Sequence, residues 1–203
     1  MQNPEGITRT RRMKDGGREQ IIAAARYLFA RKGFHQTGMA ELAERAAVSV
    51  GQLYRMFADK SDIIIAIIRE DADRRLIEMQ EINAAVESEE LSVQAALEQI
   101  VLNALNAGGD PLRFEILAEA FRSEAAADVI NKLTIRFRRM LRDLALQANP
   151  RLQGDDLVAA QEILLACLFG LGNKTPSQSP LSIGQTAKMT ANFLYVALQQ
   201  PMA

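Results

Sequence analysis

The residues best equipped for chemistry lie between positions 37 and 60, and their groups are suited to binding. Gln52 offers an amide donor and acceptor, Arg55 a guanidinium, Tyr54 a hydroxyl and Lys60 an ammonium group. Hydrogen-bond donors and cations of this kind contact the phosphates and base edges of nucleic acids. These four side chains form a binding surface only if they lie on one face of the molecule. The secondary-structure elements that carry them therefore have to be identified next.

Two short helices around a tight turn position these groups. Apolar residues recur at helical spacing over 39–46, the chain breaks at 47–49, and a second helical pattern runs over 50–57. Ser49 is placed to cap the second helix and Thr37 the first, so that both helix starts offer backbone N–H groups to phosphates. The packing face consists of Leu42, Ala43, Ala46, Val48, Leu53 and Phe57, which leaves Val50, Gly51, Gln52 and Arg55 pointing outward. The pattern predicts a helix-turn-helix whose second helix enters a major groove of DNA.

The order of these residues resembles that of TetR-family repressors over residues 18–65. The matching positions are Thr37, Leu42, Ala43, Val48, Ser49, Gly51, Leu53, Tyr54, Phe57 and Lys60. The resemblance implies that Thr37, Tyr54 and Lys60 contact the DNA backbone. It also implies that Gln52 and Arg55 face base edges, where Gln pairs with adenine and Arg with guanine. The full predicted DNA-binding set is Thr37, Ser49, Val50, Gly51, Gln52, Tyr54, Arg55 and Lys60.

Four residues depart from the family pattern. Ala47 stands where the turn glycine is usual, Val50 where a lysine is frequent, and Gly38 where a second Thr or Ser is common. Ala40 replaces a residue that is often a base-reading arginine. We therefore expect few polar contacts from the supporting helix, and strain in the turn if the φ of Ala47 is positive.

Each predicted contact also has a purely structural interpretation. Tyr54 can be a core aromatic whose hydroxyl reaches solvent, Lys60 an ordinary surface cation, and Thr37 only a helix cap. The joint order and spacing of the residues favour DNA binding over a coincidental helical hairpin.

Helical periodicity dominates the whole chain and predicts an all-α protein of about nine helices. We predict a basic flexible arm over residues 1–14, a three-helix DNA-binding domain over 15–60 whose first helix is capped by Asp15, and a helical ligand-binding and dimerisation domain over 61–203. Pro111 fits the first turn of a helix in that last domain. Its final two helices are expected at about 155–171 and 183–199, joined by a loop over 172–180 rich in Ser, Thr and Pro.

Charge is distributed unevenly along the chain. The net charge is −1, but residues 1–60 hold 11 Lys and Arg against 6 Asp and Glu, whereas residues 61–203 hold 13 against 19. A basic N-terminal part on an acidic remainder suits a polyanionic partner. For residues 1–14 alone, a solvated disordered tail explains the charge equally well.

The predicted helix at 155–171 is apolar on almost every side, so one covered face does not account for it. Helix-turn-helix proteins of this kind read two half-sites that lie one DNA turn, or a multiple of it, apart, so a two-fold dimer is expected. In the resembling family the last two helices form a four-helix bundle across a homodimer. The alternative is a monomer in which this helix is covered on both sides by its own chain.

A pocket for a small-molecule effector is expected among the predicted fourth to seventh helices. Its predicted lining residues are Met79, Asn103, Arg113, Phe114, Leu117, Phe121, Phe137 and Met140, with Glu119 as a further polar candidate. Met and Phe at helical spacing also fit an ordinary core, so the pocket rests on the family resemblance.

Other classes of function are poorly represented in the sequence. Cys167 and His35 are the only cysteine and histidine, which excludes an internal disulfide and a Cys/His zinc cage within one chain, and no glycine-rich nucleotide motif occurs. We expect no enzyme activity, metal, cofactor or membrane segment, and a cytoplasmic protein. The alternatives are a helical small-molecule-binding or protein-interaction module without DNA binding and, less favoured, a helical enzyme.

Overall fold

The structure, a computed structural model, describes the backbone of residues 4–173 and 180–200 and the side chains of 16–173 and 180–200. This described part contains nine α-helices and no strand, which confirms the predicted all-α fold. The helices are α1 (Pro4–Lys32), α2 (Met39–Arg45), α3 (Val50–Met56), α4 (Lys60–Glu87), α5 (Val93–Asn106), α6 (Pro111–Ala120), α7 (Glu124–Ala148), α8 (Gly154–Gly172) and α9 (Ile183–Gln199).

The chain packs as two units. Unit 1 comprises Met1–Asp71 and Pro111–Ile130, and unit 2 comprises Ala72–Asp110 and Asn131–Ala203. The division falls inside α4 and near the start of α7. The proposed functional boundaries at residues 14 and 60 stay predictions, as does the flexibility of the basic arm, whose side chains lie outside the described residues. The middle of the loop expected at 172–180 lies outside them as well.

The first helix begins earlier than the sequence pattern predicts. It starts at Pro4, so the prediction that Asp15 caps it is wrong, because Asp15 lies within α1. Pro4 suits the first turn of a helix, and the Arg and Lys residues that follow it are good helix formers. Gly16 and Gly17 lie in the helix without ending it.

Unit 1 has its own core beneath the two short helices. Ile21, Ala25 and Phe29 of α1 recur four residues apart and are fully buried. Leu42 of α2 and Leu53 of α3 pack into the same cluster, together with Ile63, Ile64 and Ile67 of α4 and Leu112 of α6. Because Leu53 is the buried residue of α3 and its C-cap residue Phe57 is buried as well, that helix is held by one side only.

Unit 2 is built around α5, which packs against α8 and α9. Its core includes Leu97 and Val101 of α5, Leu141 and Leu144 of α7, Leu164 of α8 and Ala191 of α9. Within the described residues, no helix is long and apolar enough to cross a membrane.

Candidate nucleic-acid interface

The start of α3 is fixed by a reciprocal cap. Ser49 Oγ accepts a hydrogen bond from the backbone N–H of Gln52 at 3.1 Å, and Gln52 Oε1 accepts one from the backbone N–H of Ser49 at 2.8 Å. The predicted role of Ser49 as N-cap is therefore confirmed. A cap of this type contributes about 1 kcal/mol to helix stability. The same contact uses one of the two lone pairs of Gln52 Oε1, so the amide nitrogen and the second lone pair stay available.

The outer face of α3 presents the residues expected to meet DNA. Val50, Gly51, Gln52, Tyr54 and Arg55 are exposed, while Leu53 has no exposed surface. With 52% of its surface exposed, Tyr54 is not a core aromatic. The structure thus brings five of the eight predicted DNA-binding residues together on one open surface, backed by a buried leucine.

The turn between α2 and α3 contains a strained residue. Ala47 has a φ of +52°, in the left-handed region that favours glycine. Its N–H donates to Glu44 O, and the N–H of Val48 donates to Ala43 O, both at 3.0 Å. For a residue with a Cβ this conformation costs about 1–2 kcal/mol. The expected strain is therefore present, because the tight turn requires the conformation whichever residue occupies it.

Ala47→Gly should raise the free energy of unfolding by about 0.5–1 kcal/mol, because relief of strain exceeds the greater unfolded-state entropy of glycine. The measurement is the denaturant midpoint at unchanged slope. Ala23→Gly serves as the matched control, since Ala23 is an exposed residue within α1 and its replacement should lower stability by about 1 kcal/mol. A loss of stability for both variants would contradict the strain assigned to Ala47.

The loop before α2 uses Thr37 differently from the prediction. Thr37 has 1% of its surface exposed, and its Oγ1 donates to Gly33 O at 2.9 Å. The N-cap of α2 is Gly38, which makes no side-chain cap, so the prediction that Thr37 caps α2 is wrong. The reason is that the chain turns at Gly33, which follows α1 and has a φ of +86°. The loop then brings the Thr37 hydroxyl to the Gly33 carbonyl and not to the start of α2. A phosphate contact by Thr37 stays a prediction that its burial does not favour.

Lys60, at the start of α4, is more than a surface cation. Its Nζ donates to Phe34 O at 2.8 Å and to His35 O at 3.1 Å, and it lies 4.9 Å from the centroid of the Phe34 ring. An ammonium group has three N–H donors, so one remains for a phosphate. Lys60 therefore holds the loop that precedes α2 and can still contact DNA.

Two side chains, Glu115 of α6 and Arg122 just after that helix, contact this loop, and neither was among the predicted site residues. Glu115 Oε2 accepts a hydrogen bond from the backbone N–H of Phe34 at 2.9 Å, and Arg122 Nη1 donates to His35 Nε2 at 2.8 Å. Glu119, 6% exposed, accepts from Ser61 Oγ at 3.5 Å. Glu115 and Glu119 lie four residues apart and therefore on one side of α6, but this spacing does not identify the loop as a partner.

Arginines on α1 pair with acidic residues of α4. Arg26 makes two hydrogen bonds to Asp71, at 2.8 and 2.9 Å, and Arg18 pairs with Glu70 at 3.3 Å. Burial alone lowers the pKa of Arg26, but the hydrogen bonds and charge of Asp71 outweigh burial and raise it. These two cations are therefore neutralised within unit 1. The side chains of Arg9, Arg11, Arg12 and Lys14 lie outside the described residues.

The predicted effector-pocket residues fall in different units. Unit 2 contains Met79, Asn103, Phe137 and Met140, of which both methionines are buried in the core. Unit 1 contains Arg113, Phe114, Leu117 and Phe121. Phe121 is 92% exposed. A single pocket formed by all eight stays a prediction.

Asn103 also lines a small cavity within unit 2. The cavity measures about 200 Å³ and lies between α4 and α5, where its other lining residues are Glu78, Glu81, Ile82, Ala85, Leu91 and Gln99. No group of three His, Cys, Asp or Glu side chains among the described residues is arranged to hold a metal ion.

Known proteins that resemble this chain share the segment that contains the helix-turn-helix. Residues 21–67 match the family model described as bacterial regulatory proteins, tetR family. The HTH-type transcriptional regulator UidR of Escherichia coli K12 is 35% identical over 117 residues, which are 57% of this chain and 58% of UidR. The matched part thus spans little more than half the length of that relative.

Solved structures extend the likeness to the C-terminal helices. Salmonella enterica GusR is 27% identical, with a TM-score of 0.65 over 90% of this chain and 93% of GusR. AibR, whose crystal structure contains isovaleryl coenzyme A and operator DNA, is 20% identical, with a TM-score of 0.64 over 88% of this chain and 98% of AibR. At that identity AibR shows a common fold alone.

The capped and outward-facing α3 and the turn before it define a helix-turn-helix motif within the all-helical fold of the described residues. The family model and the relative UidR both match this motif, so the likeness to TetR-family regulators is shown for the helix-turn-helix part of the chain.

Proposed function

We propose that the protein is a ligand-responsive transcriptional regulator that binds a palindromic DNA operator as a homodimer. The observation that carries the proposal is the open face of α3, where Gln52, Tyr54 and Arg55 are exposed on a helix anchored by Leu53. Amide, hydroxyl and guanidinium groups on such a helix supply both base readout and backbone contacts. The family resemblance favours repression as the mode of regulation. Because a bacterial operator lies on DNA in the cytoplasm, the proposed regulator would act there.

The homodimer would form through α8 and α9. Both helices bury one side within unit 2, through Leu164 and Leu194 for example, yet they keep large apolar side chains exposed. The exposed set comprises Val158, Ile163 and Phe169 on α8 and Ile183, Met189, Phe193 and Val196 on α9. An exposed apolar surface of this kind marks an interaction site. A second copy is the fitting partner, because a two-fold dimer presents two copies of α3 to successive major grooves.

A small-molecule effector would regulate DNA binding. AibR, which has the same fold, was solved in complex with isovaleryl coenzyme A and operator DNA, which supports a small molecule and an operator as the two classes of ligand. An effector that favours a state unable to engage both half-sites lowers DNA affinity by the coupling free energy, about 1–3 kcal/mol in typical cases. The identity of the effector is a matter for screening.

DNA binding by the wild-type protein should fall steeply with salt. A titration of the promoter region next to its own gene, at several salt concentrations, should give a logarithm of affinity that decreases linearly with the logarithm of salt. With six to ten phosphate contacts, the loss between 50 and 200 mM salt is about 10³- to 10⁵-fold. The physical reason is the release of counterions when protein cations replace them.

The same titration distinguishes the alternatives. Small-molecule binding in a thermal-shift screen without any DNA affinity would favour a binding module, since a ligand of the native state alone raises its stability. Catalytic turnover without DNA affinity would favour an enzyme. Either result would contradict the regulator.

A further inference from the structure

Unit 1 has a cationic surface apart from the open face of α3. It consists of Tyr27, Arg31 and Arg45, and we call it the Tyr27 patch. Tyr27, on α1, is 38% exposed. Arg31, one turn later on the same helix, donates a hydrogen bond to its hydroxyl. Arg45, the last residue of α2, places its guanidinium carbon 3.3 Å from the centroid of the Tyr27 ring. One aromatic side chain therefore orders two guanidinium groups from two helices.

The charge of the Tyr27 patch is not neutralised. Among the described residues, no carboxylate lies within ion-pair distance of Arg31 or Arg45, and the nearby Glu41 pairs instead with Lys32. Arg18 and Arg26, elsewhere in unit 1, are paired with Glu70 and Asp71. Two like charges that converge without a counter-charge repel each other, so the arrangement gains stability from an anion that binds both.

The chemistry of the Tyr27 patch indicates which anion it would bind. Guanidinium groups match phosphate oxygens with two parallel hydrogen bonds, and they are weakly hydrated compared with ammonium groups. The cation–π contact with the Tyr27 ring favours one orientation of the Arg45 guanidinium before any ligand arrives. The hydrogen bond from Arg31 lowers the pKa of the Tyr27 phenol, so the two groups are electrostatically coupled as well.

The position of Arg45 in the motif indicates where the phosphate comes from. In helix-turn-helix complexes the first helix of the motif crosses the DNA backbone while the second enters the major groove. Here α2 is that first helix, and Arg45 ends it immediately before the turn that leads to α3. We propose that Arg45 and Arg31 bind phosphates of the DNA backbone beside the groove that α3 occupies. This inference rests on the proposed DNA-binding function and adds a backbone site that the family pattern does not assign.

Arg45→Gln and Arg31→Gln test the inference. Each should reduce the salt slope of DNA binding by about one and weaken binding about eightfold at 0.1 M salt, the counterion-release contribution of one phosphate. The loss should be equal on operator and random duplex DNA, because phosphates carry no sequence information. Arg45→Lys keeps the charge, so it should retain the slope.

Matched controls separate the Tyr27 patch from net charge and from folding. Arg151→Gln removes one exposed cation from unit 2 and should leave the slope unchanged. Tyr27→Leu keeps both charges but removes the ring that orders them, and it should weaken binding with little change in slope. Denaturant midpoints of all variants identify any that lose stability. Wild-type slopes for both Gln variants, while the wild-type protein binds DNA, would overturn the Tyr27 patch and leave the proposed function standing. A wild-type protein without DNA affinity would overturn both.

Discussion

Phe193→Asp should convert the protein from a dimer to a monomer and lower its operator affinity by at least about 100-fold, because linked half-site binding multiplies affinity by about 10² to 10⁴. Phe193 has 69% of its surface exposed on α9 and lies one helical turn from Met189 and from Val196, which are each about half exposed. A carboxylate at the centre of an apolar interface loses its hydration without gaining a partner, which costs several kcal/mol.

The measurement combines molar mass with DNA affinity. Light scattering after gel filtration should report two 22.4 kDa chains for the wild type and one for the variant. Ile77→Asp is the matched control, because Ile77 is also a half-exposed apolar residue of unit 2 but lies on α4. It should leave the dimer intact. A Phe193→Asp protein that remains dimeric, or a monomeric wild type that binds the operator fully, would contradict the proposed interface.

The periodic spacing of apolar residues along the sequence explains why much of the fold could be predicted. The helices expected at about 155–171 and 183–199 are found at Gly154–Gly172 and Ile183–Gln199. Long segments of apolar periodicity predict the helices themselves. Asn, Gly, Ser and Pro at the boundaries of these segments predict where the helices end, because these residues favour helix ends. The start of α1 was missed because Asp15 and the glycines after it have the composition of a helix boundary, whereas the helix continues through them.

Site features that depend on neighbouring residues were predicted better than features that depend on packing. The N-cap role of Ser49 and the outward face of α3 were predicted from local sequence, whereas the return hydrogen bond to Gln52, three residues later, was not predicted. The partner of the Thr37 hydroxyl depends instead on how the loop folds back onto Gly33.

The contacts of Glu115 and Arg122 with the loop before α2 had no local signal in the sequence. Glu115 lies 81 positions from Phe34, and Arg122 lies 87 positions from His35. Only the packing of α6 and the turn after it against the other helices of unit 1 brings these pairs within hydrogen-bond distance, and local sequence patterns do not reveal such a pairing. The Tyr27 patch escaped notice for the same reason, since Tyr27 and Arg45 belong to different helices.

Arg55→Ala should relax the preference for one base pair by about 1–3 kcal/mol, about 5- to 150-fold, whereas Tyr54→Ala should weaken binding to every sequence alike. Arg55 is exposed in the last turn of α3, and its guanidinium can pair with guanine N7 and O6. Tyr54 has a single hydroxyl on an exposed ring, which suits a phosphate oxygen. The measurement is the affinity of each variant for the operator, for single-base replacements within it, and for random duplex DNA. Equal losses on specific and random DNA for both variants would contradict this division of roles.

Gln52 requires a different substitution, because its side chain serves two purposes. Gln52→Ala removes the cap of α3 together with any base contact, so a loss of affinity would have two explanations. Gln52→Glu retains an oxygen that can accept from the N–H of Ser49, as Glu does in the usual capping box, but it lacks the amide donor. If Gln52 reads a base, the relative affinities among operator variants should change in Gln52→Glu while the denaturant midpoint stays near that of the wild type. If only overall affinity falls, equally for all sequences, the added negative charge accounts for the loss, and the sequence readout of α3 rests on Arg55.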